Sequence, residues 1–241
     1  MISKNKIKTI RQLEMKKFRR REGCFVAEGP KVVGDLIRYG FRPCQIFSTT
    51  QEWADAQLVT EDELRKLSFL QHPQQVLAVF PLPVHDDVVP TPSSLCLALD
   101  GIQDPGNLGT IIRLADWFGI DTIYCSEDTA DAWSPKVVQA TMGSIARVKV
   151  VYTNLVAMLR STTLPVYGTL LDGTDIYHEE LSEDGIIVMG NEGNGISQEV
   201  RELVTRRLLI PSFRQGDTAE SLNVAIATAI TCSEFRRRQT M

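Results

Sequence analysis

The sequence predicts an α/β protein in two units, the second built on a parallel sheet covered by helices on both faces. Three observations carry that expectation. Beyond residue 95, strand-like and helix-like segments alternate strictly, as they do where crossover helices join parallel strands. The strand-like segments include uninterrupted apolar runs such as Ile186, Ile187, Val188 and Met189, a pattern that suits strands buried on both faces. Between the units, residues 81–94 read PLPVHDDVVPTPSS, and four prolines in so short and polar a stretch mark a linker. The expected division is therefore 1–80, a linker at 81–94, and 95–241.

The elements follow in order. Ile7, Ile10, Leu13 and Phe18 recur near helical spacing, which predicts one amphipathic helix over residues 4–20 with a basic outer face. CFVAEGP reads as a strand whose Pro30 then opens a helix through about Tyr39. CQIFSTT is a second strand, TEDELRKLSFL a helix started by acids, and QQVLAVFPL a third strand. In the second unit LCLALDGI, DTIYCSE, RVKVVY, PVYGTLL, GIIVMG and RRLLIP are strands. Helices are expected from Asn107 to Phe118, from Pro135 to Gly143, near 154–161, from Ser197 to Thr205 and from about Ser221 onward.

Hydrophobic and charged fractions of 43% and 23% over 241 residues place the chain among ordinary globular proteins and away from disordered ones. No apolar stretch approaches the ~20 residues of a membrane helix, and MISKNKIKTIRQ lacks the apolar core of a secretory signal, so a cytoplasmic protein is expected. Cys24, Cys44, Cys96, Cys125 and Cys232 form an odd set without a CxxC pair; buried free thiols are expected, with no metal site. His72, His85 and His178 are scattered and form no catalytic constellation by spacing.

Charge is unevenly spread. Residues 1–21 hold nine cations, Lys4, Lys6, Lys8, Arg11, Lys16, Lys17, Arg19, Arg20 and Arg21, against Glu14 alone, a net of +8. With −4 overall, the rest of the chain carries −12. A basic arm on an acidic body points to a polyanion, and at this density to nucleic acid; a solvated helix face is the plainer alternative.

Three strand ends in the second unit run into unusual loops. DGIQDPGNLGTIIRLADWFGI places Arg113 among Leu108, Ile111, Ile112, Leu114 and Ala115, a cation on a helix otherwise fitted for burial, or a surface residue pairing with Asp116 or Asp104. In GNEGNGIS, Gly190, Gly193 and Gly195 give GxxGxG, the reverse of the dinucleotide fingerprint, which disfavours an oxidoreductase. A simple turn before a helix capped by Ser197 is the alternative. In IPSFRQGDTAESLNVAIATAI, Ser221 and Asn223 open an apolar helix, with Ser221 a possible N-cap.

Taken in order, NLGTIIR with FG, MGNEGNGI, and IP followed by SLNVAIATAI resemble motifs 1, 2 and 3 of the SpoU (TrmH-like) branch of the SPOUT RNA methyltransferases. FVAEGPKVVGDLI and HPQQVLAVF resemble the small, ribosomal-protein-like α/β substrate-binding domain often fused ahead of it. Two positions depart from the pattern: Ala225 stands where serine is frequent, and FRQGDTAE lengthens the third loop. The resemblance implies a parallel sheet with a deep trefoil knot, a homodimer, and S-adenosylmethionine bound in bent form. The implied cofactor site comprises Gly190, Asn191, Glu192, Gly193, Gly195, Ile210, Pro211, Ser221, Leu222 and Asn223, the adenine held by backbone around Gly190, Ile210 and Leu222. The implied reaction is methylation of a ribose 2′-hydroxyl in structured RNA, ribosomal RNA ahead of transfer RNA. Arg113 is implied as catalytic, with Asn107, Ser221 and Asn223 bracing it and Glu192 either bracing a loop or partnering cofactor or arginine. A non-catalytic RNA-binding or ribosome-assembly protein on the same fold is the alternative from another class.

Overall fold

A computed structural model describes residues 2–84, 89–214, 216 and 219–239. Residues 85–88 of the expected linker lie outside that set. Along the chain the strands are β1 (Cys24–Glu28), β2 (Gln45–Ser48), β3 (Gln57–Leu58), β4 (Val76–Pro81), β5 (Leu95–Asp100), β6 (Thr122–Cys125), β7 (Lys149–Tyr152), β8 (Val166–Asp175), β9 (Gly185–Gly190) and β10 (Arg206–Leu209). The helices are α1 (Lys4–Gln12), α2 (Lys16–Glu22), α3 (Pro30–Arg38), α4 (Glu61–Leu67), α5 (Pro105–Trp117), α6 (Pro135–Ala140), α7 (Leu155–Ser161), α8 (Gln198–Arg201) and α9 (Val224–Gln239). Among the described residues no helix is long and apolar enough to cross a membrane.

The chain divides into two compact units, Met1–Val84 with Asp131–Arg147, and His85–Ala130 with Val148–Met241. In the first, four strands run in the order β1-β4-β2-β3, with β4 antiparallel to both neighbours. Ile10, Leu13, Val26, Phe47, Leu64 and Leu77 belong to one apolar cluster there. The expected single helix over 4–20 is instead α1 and α2, separated at 13–15. Arg19 explains the break: its guanidinium is 2% exposed and donates to the carbonyls of Leu13 and Glu14 at 2.6 and 2.7 Å, groups that a continuous helix would have used itself.

Residues 131–147, read from sequence as part of the second domain, pack in the first unit. Arg19 Nη2 lies 2.6 Å from Asp131 Oδ2, and the Trp133 ring sits 4.6 Å from that of Phe25. Such partners are more than a hundred residues apart, beyond any local pattern.

The second unit holds the all-parallel sheet the alternation predicted, in the order β10-β8-β9-β5-β6-β7. Cys96, Ala98, Ile186 and Val188 share a core cluster with Leu155 and Leu159 of α7. The alternate residues Leu97, Leu99, Ile123 and Ile187 are buried too, and helices α5 and α9 lie against β6 and β9. Burial on both faces is what removes polar alternation from these strands. Three of the cysteines, Cys96, Cys125 and Cys232, are buried, whereas Cys24 is half-buried and Cys44 exposed, against the expectation for all five.

Candidate functional site

Three loops leave the carboxyl ends of strands in this sheet: β5 into α5, the adjacent β9 into α8, and β10, one strand further across β8, into α9. In parallel sheets this end is where loops diverge and ligands bind.

The β9 loop is a closed turn. Asn191 and Gly195 exchange backbone hydrogen bonds at 2.9 Å each way, and Asn191 Oδ1 accepts from the N–H groups of Gly193 and Asn194. The Asn191 amide donates to the Gly101 carbonyl at 2.6 Å, tying this turn to the β5 loop. Gly190 is required here: a Cβ would lie 2.3 Å from the carbonyl carbon of Gly195 and the nitrogen of Ile196.

Glu192 then reaches across. Its carboxylate accepts from the backbone N–H groups of Gln103 and Asp104, both at 3.2 Å, and from the Asn107 amide at 3.0 Å. Partial burial raises its pKa, but the Asn107 amide and the backbone donors outweigh that and hold the carboxyl below the ordinary range. These contacts brace the β5 loop, one of the two roles the sequence offered for Glu192. Asn107 Oδ1 in turn accepts from the Asn223 amide at 3.0 Å, and Asn223 Oδ1 accepts from the N–H of Ala225 at 2.9 Å. Each amide therefore has one orientation, and the three loops are joined in a single directed chain of hydrogen bonds.

Two helix starts shift. Asp104 is the N-cap of α5, its carboxylate accepting from Asn107 N–H at 2.8 Å, so Asn107 lies in the first turn, free to face the other loops. Asn223, not Ser221, caps α9. Ser197 takes the N-cap position of α8 without a side-chain capping bond; its N–H donates to Asp100 at 2.7 Å. Arg113 is exposed on α5 and pairs with neither Asp104 nor Asp116; among the described residues its guanidinium has no hydrogen-bond partner. The expected bracing of Arg113 by Asn107, Ser221 and Asn223 is not among the contacts formed.

Beside this network lies a cavity of about 550 Å³. Of the residues the resemblance implies for the cofactor, Gly190, Asn191, Glu192, Gly193, Gly195, Ile210, Ser221 and Leu222 line it, whereas Pro211 and Asn223 do not. Its other wall was missed. Thr169 to Asp172 and Arg201 complete it, because β8 runs on to Asp175 and its pairing with β10 jumps from Gly168 to Thr174, leaving 169–173 bulged toward the cavity. Only the change from apolar LL to the turn-like DG hinted at that bulge. Among the described residues the backbone groups of Ile210 and Leu222 form no backbone hydrogen bond, so they remain available to the polar edge of a planar ligand.

The basic arm is less uniform than its sequence. Arg19 is buried in its ion pair and cannot meet a polyanion, which corrects the expected set. Arg11 donates to the Ser68 carbonyl and lies 4.5 Å above the Phe69 ring. Lys6 and Lys16 are half-buried, while Lys4, Lys8, Lys17, Arg20 and Arg21 are exposed.

A parallel α/β domain with a glycine-framed cavity at its strand ends, closed by a polar network among three loops, defines a ligand-binding domain of enzyme type. The comparisons make the class specific. Residues 94–233 match the SpoU rRNA Methylase family, and residues 4–78 match the MRM3-like substrate binding domain. The 23S rRNA (guanosine(2553)-2′-O)-methyltransferase RlmP of Bacillus subtilis is 32% identical, over 96% of each chain. Among solved structures, one from Porphyromonas gingivalis assigned to the TrmH family of RNA methyltransferases is 44% identical, with a TM-score of 0.88 and 99% of each chain covered. An AdoMet-bound rRNA methyltransferase from Sinorhizobium meliloti is 32% identical with the same TM-score, covering 99% of this chain and 97% of that one. The chain belongs to the SpoU RNA methyltransferase family.

Proposed function

We propose that this protein methylates a ribose 2′-hydroxyl of ribosomal RNA, with S-adenosylmethionine held in the 550 Å³ cavity. The observation that carries the reading is Asn107, whose amide joins Glu192 of the β9 loop to Asn223 of the β10 loop and so fixes the cavity wall against the start of α5. The donor set fits the cofactor. Ile210 and Leu222 offer unpaired backbone groups suited to an adenine edge, and the tight backbone approach at Gly190 shapes the pocket without side-chain bulk. When bound, S-adenosylmethionine supplies a methyl group already activated on a sulfonium.

The protein's task is then to position a weakly acidic hydroxyl and stabilise the charge that develops on its oxygen. Arg113 is the residue for that task. A guanidinium keeps its proton with a pKa above ~12, so it serves as a fixed cation for the nascent alkoxide or the adjoining phosphate, not as a base. With no hydrogen-bond partner among the described residues, its donors are left for RNA.

The reading extends to assembly and place. Residues 1–80, joined by the 131–147 segment, hold the RNA through their exposed cations, and the remainder of 95–241 forms the knotted methyltransferase domain. The protein works as a homodimer in the cytoplasm; Trp117 on α5 and Ile226 on α9, 83% and 53% exposed, are large apolar groups on two packed helices that a second copy would cover. The decisive experiment incubates the protein with labelled S-adenosylmethionine and either ribosomal or transfer RNA, then maps ribose methylation by mass spectrometry. A 2′-O-methyl group on ribosomal RNA is expected. Cofactor binding without transfer to any RNA would leave the non-catalytic reading.

A further inference from the structure

We propose that Phe213 and Arg214 form an RNA-gripping pair, the ring stacking on an unpaired base beside the target ribose and the guanidinium meeting a backbone phosphate. Exposure is the first ground. Phe213 is 88% exposed, whereas Phe25, Phe47, Phe80 and Phe235 are at most 1% exposed. An aromatic ring left in water forfeits its burial energy, and here it stands beside a cation.

Place is the second ground. The pair lies three and four residues beyond Ile210 and ahead of Glu220, Ser221 and Leu222, all of which line the cavity. Phe213 and Arg214 are thus tethered within a few residues of a cavity-lining position. Charge is the third. Beyond residue 21 the chain carries a net charge of −12, so Arg214, four residues from the cavity-lining Ile210, is a cation on an acidic background. Arg214 is exposed, and among the described residues its side chain has no hydrogen-bond partner. Stacking on an aromatic face is tolerant of sequence and requires an unpaired base, and an adjacent arginine adds phosphate contact. Together they would hold a splayed-out segment next to the reacting ribose.

This inference rests on the proposed ribosomal RNA methyl transfer, and the experiment separates the two. Phe213→Ala, Phe213→Tyr and Arg214→Ala are compared with the wild type for methylation of a large-subunit ribosomal RNA transcript and for binding that transcript by fluorescence anisotropy. Phe213→Ala should raise KM for RNA about tenfold with kcat little changed, and Phe213→Tyr should restore it. Arg214→Ala should flatten the salt slope of log affinity by about 0.7. S-adenosylmethionine titration and the light-scattering mass should be the same for all four proteins. A KM for Phe213→Ala within twofold of wild type overturns the proposal. So does weakened cofactor binding, which would make the ring a pocket lid, or a lost dimer, which would make it an interface residue. A wild type that transfers no methyl group refutes the activity, and the anisotropy then still decides whether Phe213 grips RNA.

Discussion

At the scale of single residues, the proposed function turns on two side chains that behave oppositely. Arg113 is exposed on α5 and has no hydrogen-bond partner among the described residues, so replacing it removes no hydrogen bond formed there; Arg113→Ala should abolish transfer by a hundredfold or more while S-adenosylmethionine affinity stays within a few-fold. Retained turnover in a single-turnover assay would remove it from the mechanism. Asn107 is fully engaged, its amide donating to Glu192 and its carbonyl accepting from Asn223. Asn107→Asp is nearly isosteric but sets a second carboxylate against that of Glu192, whereas Asn107→Ala merely deletes the link. The aspartate variant should therefore be the worse of the two at neutral pH, in both cofactor affinity and turnover, and should recover partly as the pH falls toward 4. An aspartate variant at least as active as the alanine one would show that the Glu192–Asn107 contact is incidental.

At the scale of elements, the motif loops were legible and their supports were not. GNEGNGIS announces a close backbone approach, yet which glycine makes it depends on how the turn folds back on itself at Gly195 and Ile196. A Cβ on Gly193 meets only Asn191 Oδ1 at 3.6 Å, an ordinary contact, while one on Gly190 would strike the backbone at 2.3 Å. Gly190→Ala should thus disrupt the turn and weaken S-adenosylmethionine binding at least tenfold, and Gly193→Ala should change it little; calorimetric titration of both distinguishes them. DPGN carries its own capping signal, an acid followed by proline, so the true start of α5 could be read locally, whereas the break between α1 and α2 depends on Arg19 reaching Asp131. The end of α9 is likewise set by distant groups. Arg236 donates to the carbonyls of Phe118 and Gly119, and Arg238 to those of Glu179 and Ile176, so these cations serve the fold and not a polyanion. Glu234, 5% exposed, accepts from Arg237 and Arg238, which depress its pKa to about 2. A depressed carboxyl stabilises the fold above its unfolded pKa, near 4.5, and loses that contribution as pH falls toward 2. Glu234→Gln should cost about 2 kcal/mol in urea unfolding at pH 7, with the gap to wild type closing between pH 4.5 and 2; an equal gap at both ends would mean the carboxylate's charge is immaterial.

At the scale of the whole molecule, the charge asymmetry underlies the proposed contact with RNA. Deleting residues 1–80 is the direct test of the basic arm, but it would also strip Phe25 from Trp133 and Arg19 from Asp131, so lost RNA affinity could not be told from lost structure. The exposed cations can be neutralised without that damage. Replacing Lys4, Lys8, Lys17, Arg20 and Arg21 by glutamine leaves Arg11 and Arg19 in their structural contacts and keeps the helical surface polar. If four of the five meet phosphates, the slope of log RNA affinity against log salt should flatten by about 3, at roughly 0.7 per contact with single strands. The cavity and its hydrogen-bonded loops belong to the other unit, so cofactor titration should be unaltered. At low salt, where electrostatic attraction is strongest, the neutralised protein should show its greatest deficit against wild type; near 0.5 M salt the two should converge. A slope unchanged by all five substitutions would mean that RNA is held instead by contacts near the cavity, with Arg113 and Arg214 the cations to neutralise next.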